Sequence, residues 1–365
     1  MKALVLSGGG AHGAYEAGAA KALLEREHYD LICGVSIGAI NAALIAAGID
    51  DALERFWHRE FPSRALDLFP HVPRLRRLIA SIGSLGNGSA WKDAMHVARA
   101  ASELPYLRKL GSVHRTSLPA VAASLGRMVD FSRLHTSLLI GATNASRACA
   151  AVFRASTGRP QPPSRHSRLT EYHDLTHENF VMALLASSAM PGLFSPIELA
   201  FDDQPALYAD GCLVHTSPLG IALDNGATEL TVVFVDQELN PDEAGSARGL
   251  TQMAYNIATL WQQRLLDYEL RLAEATNEIV RLGGSSDKRQ ISIRYVRPRV
   301  PLEIDMLAFD DAPALATAFE NGYADGAAAK LFEVMPRPQP APVPAKTSPA
   351  WWNSVRSLFP RSAAL

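Results

Sequence analysis

The chain has 365 residues, 48% of them hydrophobic and 20% charged, with a formal net charge of −2. These proportions suit a globular protein able to bury a sizeable core, and they exclude a polyelectrolyte that holds nucleic acid by bulk charge. Three cysteines, Cys33, Cys149 and Cys212, are too few and too scattered for a disulfide framework.

A reducing compartment is the natural expectation for such a chain. The apolar stretch at Met1 to Leu6 is shorter than the hydrophobic region of a signal peptide, and no run approaches the ~18 apolar residues of a spanning helix. The expectation is a cytoplasmic protein, with peripheral contact to a membrane left open.

Residues 3–6 (Ala-Leu-Val-Leu) predict a short buried strand, which runs into Ser7-Gly8-Gly9-Gly10-Ala11-His12-Gly13. An Ala- and Leu-rich helix follows from about Ala14 to Glu27. Asp30-Leu31-Ile32-Cys33 predicts a second strand, leading through Gly34-Val35-Ser36-Ile37-Gly38 into an apolar helix that stops near Gly48. Strand, glycine turn and helix, twice over, predict an α/β fold with a parallel sheet. Residues from about 55 to 135 read as a helical insertion broken by Pro62, Pro70, Pro73, Pro105 and Pro119. Basic clusters in it, Arg74, Arg76, Arg77, Arg108 and Lys109, would serve a lid or lipid-facing surface, or an ordinary solvated face.

Leu138 to Thr143 resumes the strand pattern, and a Pro/Ser/Arg stretch at 158–168 reads as a loop. Thr176 to Asn179 can cap a helix carrying Met182 to Ser188. Strands are predicted at Ala206–Ala209, Leu230–Val235 and Ile291–Val296, with a long amphipathic helix at 248–281. The catalytic region would then occupy 1–335. In 336–365, alternating prolines predict an extended linker. Trp351, Trp352, Val355, Leu358 and Phe359 beyond it share a helical face without an acidic neighbour, the pattern of a peripheral membrane anchor or of a tail packed on its own domain.

Three stretches carry chemistry. Gly34-Val35-Ser36-Ile37-Gly38 fits Gly-x-Ser-x-Gly, a strand-to-helix turn that pushes a nucleophilic serine out of the fold. The glycines Gly8, Gly10 and Gly13 satisfy a dinucleotide fingerprint, with Asp30 as a ribose-binding acid. The same loop could form an oxyanion hole from successive glycine N–H groups, or be a packing turn. Asp210-Gly211 follows a short strand, where a carboxylate could take the Ser36 proton or simply make a turn. His215 would allow a triad, and His173 with His177 a metal pair on one helix face, although no third ligand is apparent.

Together these stretches resemble the patatin-like phospholipase family: a glycine-rich loop, Gly-x-Ser-x-Gly, then Asp-Gly followed by a small residue. Ala186 to Pro196, and the segment from Asp305 to Phe309 with Gly322, Tyr323 and Asp325, resemble further parts of that family. The resemblance covers about residues 1–330, except much of the insertion. It implies a modified α/β-hydrolase fold with a central, mainly parallel sheet flanked by helices. It implies a Ser36–Asp210 dyad without histidine, an oxyanion hole from Gly8, Gly9, Gly10 and the Ile37 N–H, and structural roles for Gly13, Gly34, Gly38, Gly211 and Cys212. No metal or organic cofactor is called for, and the substrate would be a phospholipid or lysophospholipid acyl ester. The sequence departs from the family at Cys212, where Gly or Ala is usual, at His12, where Arg or Lys is frequent, and in Leu213 to Pro218. Two rival readings remain from the residues: a catalytically idle lipid-binding protein, and an oxidoreductase using the Gly8–Gly13 loop.

Overall fold

The computed structural model describes residues 1–48, 51–63, 72–83, 92, 95–100, 110–157, 169–191, 194–215, 218–237, 250–284 and 288–329. The expected loop at 158–168 and the linker and tail from 336 onward lie outside them. By its contacts the chain divides into Met1–Phe332 and Glu333–Leu365, and the description below concerns the first unit.

At its centre is a mixed sheet. Strand β1 (Lys2–Leu6) lies between β2 (Leu31–Val35) and β8 (Glu229–Val233), with β9 (Ser292–Val296) outside β8, and all of these pairs are parallel. On the other side β2 pairs in parallel with β3 (Ser137–Asn144). Then come antiparallel β4 (Cys149–Ala155) and, parallel to that, β5 (Thr170–Asp174). Strands β6 (Ile197–Phe201) and β7 (Gln204–Asp210) form a hairpin attached through β7 to β3.

Alternation along β1 sets the two layers. Leu4 and Leu6 face the larger core, with helices α1 (Gly13–Leu24) and α2 (Ile37–Ala46), while Ala3 and Val5 face a smaller one. Both sides of the sheet are covered, which is why its parallel strands read as continuous apolar runs. Helix α3 (Ala52–Arg55) passes directly into a π-helical turn, Phe56–Glu60. Phe56, Trp57 and Phe61 stack there against each other over α2. Of the insertion, the described parts include α4 (Val72–Gly83) and α5 (Leu110–Met128).

The expected break at Pro119 does not occur. Pro119 sits exposed within α5, where water can satisfy the carbonyl that loses its partner. Helices α6 (Phe180–Ser187), α7 (Leu219–Asp224), α8 (Leu250–Arg281) and α9 (Ala312–Ala328) follow. Helix α9 packs along α1, and the Tyr15 hydroxyl donates to Asp325 at 3.0 Å across that contact. Helices α7 and α8 cover the smaller core.

Candidate active site

The register of β3 explains how two residues 174 positions apart come together. The first part of β3 pairs with β2, ending at Gly141 opposite Val35. The next residue, Ala142, pairs with Asp210 at the end of β7. Strands β2 and β7 therefore run head-on along one edge of β3, and both stop at the same level. Ser36 follows β2 and Asp210 ends β7, so their side chains meet where the two strands run out. Ser36 Oγ donates to Asp210 Oδ2 at 2.7 Å.

Ser36 occupies φ 55° and ψ −133°, a conformation costly for a residue with a side chain. The turn tightens because Gly34 and Gly38 touch through their backbones: a Cβ on Gly34 would lie 2.2 Å from Gly38 O. The Ser36 N–H is held by Ser187 Oγ at 2.9 Å, and that hydroxyl donates to Gly141 O at 2.7 Å. Helix α2 begins at Ile37, so its positive end points at Ser36.

Asp210 is almost fully buried. Desolvation pushes its carboxyl above the ordinary aspartate value. Opposing this are the Cys212 N–H, donating to Oδ1 at 2.8 Å, the Cys212 thiol, and the Ser36 hydroxyl. The Asp210 carbonyl accepts from Thr143 Oγ1 at 2.8 Å, which fixes the strand end. Cys212 thus sits beside Asp210, and burial together with the Asp210 charge pushes its own thiol up.

Gly8, Gly9 and Gly10 all take positive φ. The loop folds so close over Ser36 that a Cβ on Gly8 would lie 2.5 Å from Val35 O and 3.0 Å from Ser36 Cβ. One expectation needs correction: the Gly8 N–H is not free for an oxyanion, because it donates to Glu16 Oε1 at 2.9 Å. The N–H groups of Gly9, Gly10 and Ile37 have no protein acceptor among the described residues.

Glu16 is completely buried in the first turn of α1. Its other oxygen accepts from Asn41 Nδ2 at 2.9 Å, and Asn41 Oδ1 accepts from Trp57 Nε1 at 2.9 Å. Burial pushes its carboxyl up to about 7. This chain of bonds ties the glycine loop to α2 and to the π-helical turn. Glu16, Asn41 and Ser187 were not singled out as site residues by the sequence reading. A lone glutamate on an Ala-rich helix face was the available signal for the first of them.

The loop is held from outside as well. Ala11 N–H donates to Met306 O at 2.8 Å, and the His12 ring donates to Ile304 O at 2.9 Å. His12, where the family favours a cation, therefore fastens the loop to the segment near Asp305. Gly13 packs against Ile37 and Trp57, and Gly211 against Gly141.

Other candidates separate from the site. Asp30 accepts the Lys2 N–H at 2.8 Å, at the start of β1 and hence at the opposite end of the sheet from the Gly8–Gly13 loop, so it cannot act as a ribose acid for that loop. His215 donates its N–H to Gly211 O, but its ring lies beside Gly141, and burial pushes it down to about 4. His173 is in β5 and His177 in the turn before α6, so they share no helix face. His173 instead pairs with Glu171 and stacks on Phe201.

Ser36 and Asp210 open into a narrow apolar pocket. Its walls include Ile40, Phe61, Leu125, Leu185, Phe194 and Phe309, and Gly10 and Met306 lie at its edge with the glycine loop. The polar side chains of its lining are Ser36, Ser124, Ser188 and Asp210.

The family description Patatin-like phospholipase matches residues 4–223. Two solved structures are similar. VipD from Legionella pneumophila is 14% identical with a TM-score of 0.37, over 89% of this chain and 66% of that one. The type III effector protein ExoU is 13% identical with a TM-score of 0.25, over 90% of this chain and 53% of that one. The chain thus spans just under two thirds of the first and about half of the second. No curated protein matches it.

Proposed function

The chain belongs to the patatin-like phospholipase family, and on that premise we propose that it hydrolyses fatty-acyl esters of phospholipids or lysophospholipids through a Ser36–Asp210 dyad. The observation that carries the proposal is the 2.7 Å hydrogen bond from Ser36 Oγ to a buried carboxylate at the end of an apolar pocket.

In the first step Ser36 Oγ attacks the ester carbonyl carbon while its proton passes to Asp210. The carbonyl oxygen becomes an oxyanion, received by the N–H groups of Gly9, Gly10 and Ile37 and by the positive end of α2. Collapse breaks the ester C–O bond, and the leaving alcohol takes the proton from Asp210. The acyl chain, now on Ser36, lies in the apolar pocket. Water then attacks the acyl carbon, giving a proton to Asp210. As the fatty acid leaves, that proton returns to Ser36. Asp210 can do this without an imidazole because desolvation makes it more basic than a free aspartate.

The test is turnover of p-nitrophenyl esters and of phospholipid vesicles by the wild type, Ser36→Ala and Asp210→Asn. We expect turnover to fall at least ~10³-fold in each variant, the order of a lost nucleophile or base, with folding intact by circular dichroism. Turnover surviving Ser36→Ala would sink the proposal. Lipid binding without turnover in the wild type would instead make the protein an idle lipid binder.

A further inference from the structure

Helix α8 is apolar on two opposite sides. Leu266 and Leu270 pack on the smaller core, Ala273 is buried on the same side, and Asn277 exchanges two hydrogen bonds with the Ile291 backbone at the start of β9. Roughly half a turn away, Ile257, Trp261, Tyr268, Leu272, Ile279 and Leu282 form a second stripe. Its members range from 37% exposed at Ile279 to 68% at Leu272 and Leu282. Leu260, 54% exposed, adjoins it. Helix α4 contacts α8, yet these side chains stay exposed, and an apolar side left so open is normally covered by a partner.

We infer that this stripe is the contact surface between two copies of the chain, packed with their α8 helices antiparallel about the level of Leu270. Three observations carry it. The stripe is palindromic: Tyr268 and Leu272 stand two residues either side of position 270, and Trp261 and Ile279 nine. Ile257 and Leu282 stand thirteen and twelve away. A two-fold axis through that level brings each residue against its counterpart, Tyr268 on Leu272 and Trp261 on Ile279, as a self-complementary interface requires.

The bordering charges are of both signs and already paired within the helix: Asp267 with Arg264 and Arg271, and Glu278 with Arg281. A helix that lies on a membrane carries an unpaired excess of cations along its border, and this one does not. The stripe also extends from Ile257 to Leu282, at the end of α8 remote from Ser36. At on the order of 100 Å² for each of its six side chains and for the adjoining Leu260 it offers roughly 700 Å² per copy, near the ~800 Å² per partner of a standard interface.

The experiment is sedimentation velocity of the full chain at tens of micromolar. The expected mass is twice the 39.4 kDa of one chain. Trp261→Glu and Leu272→Glu should each return the single-chain mass with an unchanged circular dichroism spectrum. Arg271→Cys, beside the two-fold axis, should give a covalent dimer on mild oxidation, while Glu303→Cys, exposed elsewhere, should not. A single-chain mass in the wild type at every concentration overturns the inference. So does a Trp261→Glu variant that loses co-sedimentation with phosphatidylcholine vesicles while its mass stays that of the wild type, since that assigns the stripe to lipid. Either result leaves the Ser36–Asp210 chemistry untouched, because that is read from ester turnover.

Discussion

Asp210 can act as a base only while ionised, and its burial works against ionisation. The acid limb of the rate profile should therefore lie above 3.8, the ordinary aspartate value. The Cys212 thiol is one of the groups holding that limb down, so Cys212→Ala should move it to higher pH while leaving the plateau rate intact. A limb that stays in place, measured as kcat/KM for a soluble ester from pH 4 to 9, would remove Cys212 from the account. Glu269 allows a separate test of stability. Burial pushes its carboxyl from 4.5 up to about 8, and one of its oxygens has no partner. Between those values the folded chain keeps a proton that the unfolded chain has released, so stability falls as pH rises and the loss is complete above about 8. Glu269→Gln should gain thermal stability relative to the wild type at pH 8.5 but not at pH 4.5. Equal melting differences at both pH values would contradict this. Ser36 and Asp210 were legible because each sits in a short local pattern. Glu16 and Ser187 were not, because their partners Gly8, Asn41 and Gly141 are set by tertiary packing rather than by neighbours in sequence.

Among elements, the parallel strands β1, β2, β3 and β8 could be read directly, since strands buried on both faces leave apolar runs, while β9 showed as an alternating pattern. Strands β4 and β5 are mostly half-buried, β6 alternates buried and exposed positions, and their polar residues, such as Glu171 and His173, masked them. Their pairing with distant neighbours, not propensity, makes them strands. The same tertiary override keeps α5 continuous through Pro119. The turn between β2 and α2 was legible as Gly-x-Ser-x-Gly, but why both glycines are needed was not. Their backbones touch, so Gly34→Ala should cost about 3 kcal/mol or more in urea unfolding, as forced overpacking against backbone does. A loss under ~1 kcal/mol, the level of a tolerated surface change, would mean the turn yields more easily than its contacts imply.

For the molecule as a whole, the sequence supplied the α/β class and the two-sided burial of the sheet. It did not supply the hairpin β6–β7, and with it the way Asp210 reaches Ser36. The head-on meeting of β2 and β7 along β3 also has a kinetic side. Neither strand pairs with the other; the end of β7 joins β3 through a short antiparallel match with Ala142, Thr143 and Asn144, and the Asp210 N–H donates to Ala189 O at 2.9 Å. The nucleophile turn is local and can form early. The base arrives only when a segment 174 residues away has closed its loop onto an existing strand. A chain with the rest of its sheet in place would then still lack the Ser36–Asp210 pair, which forms only as that long-range pairing locks.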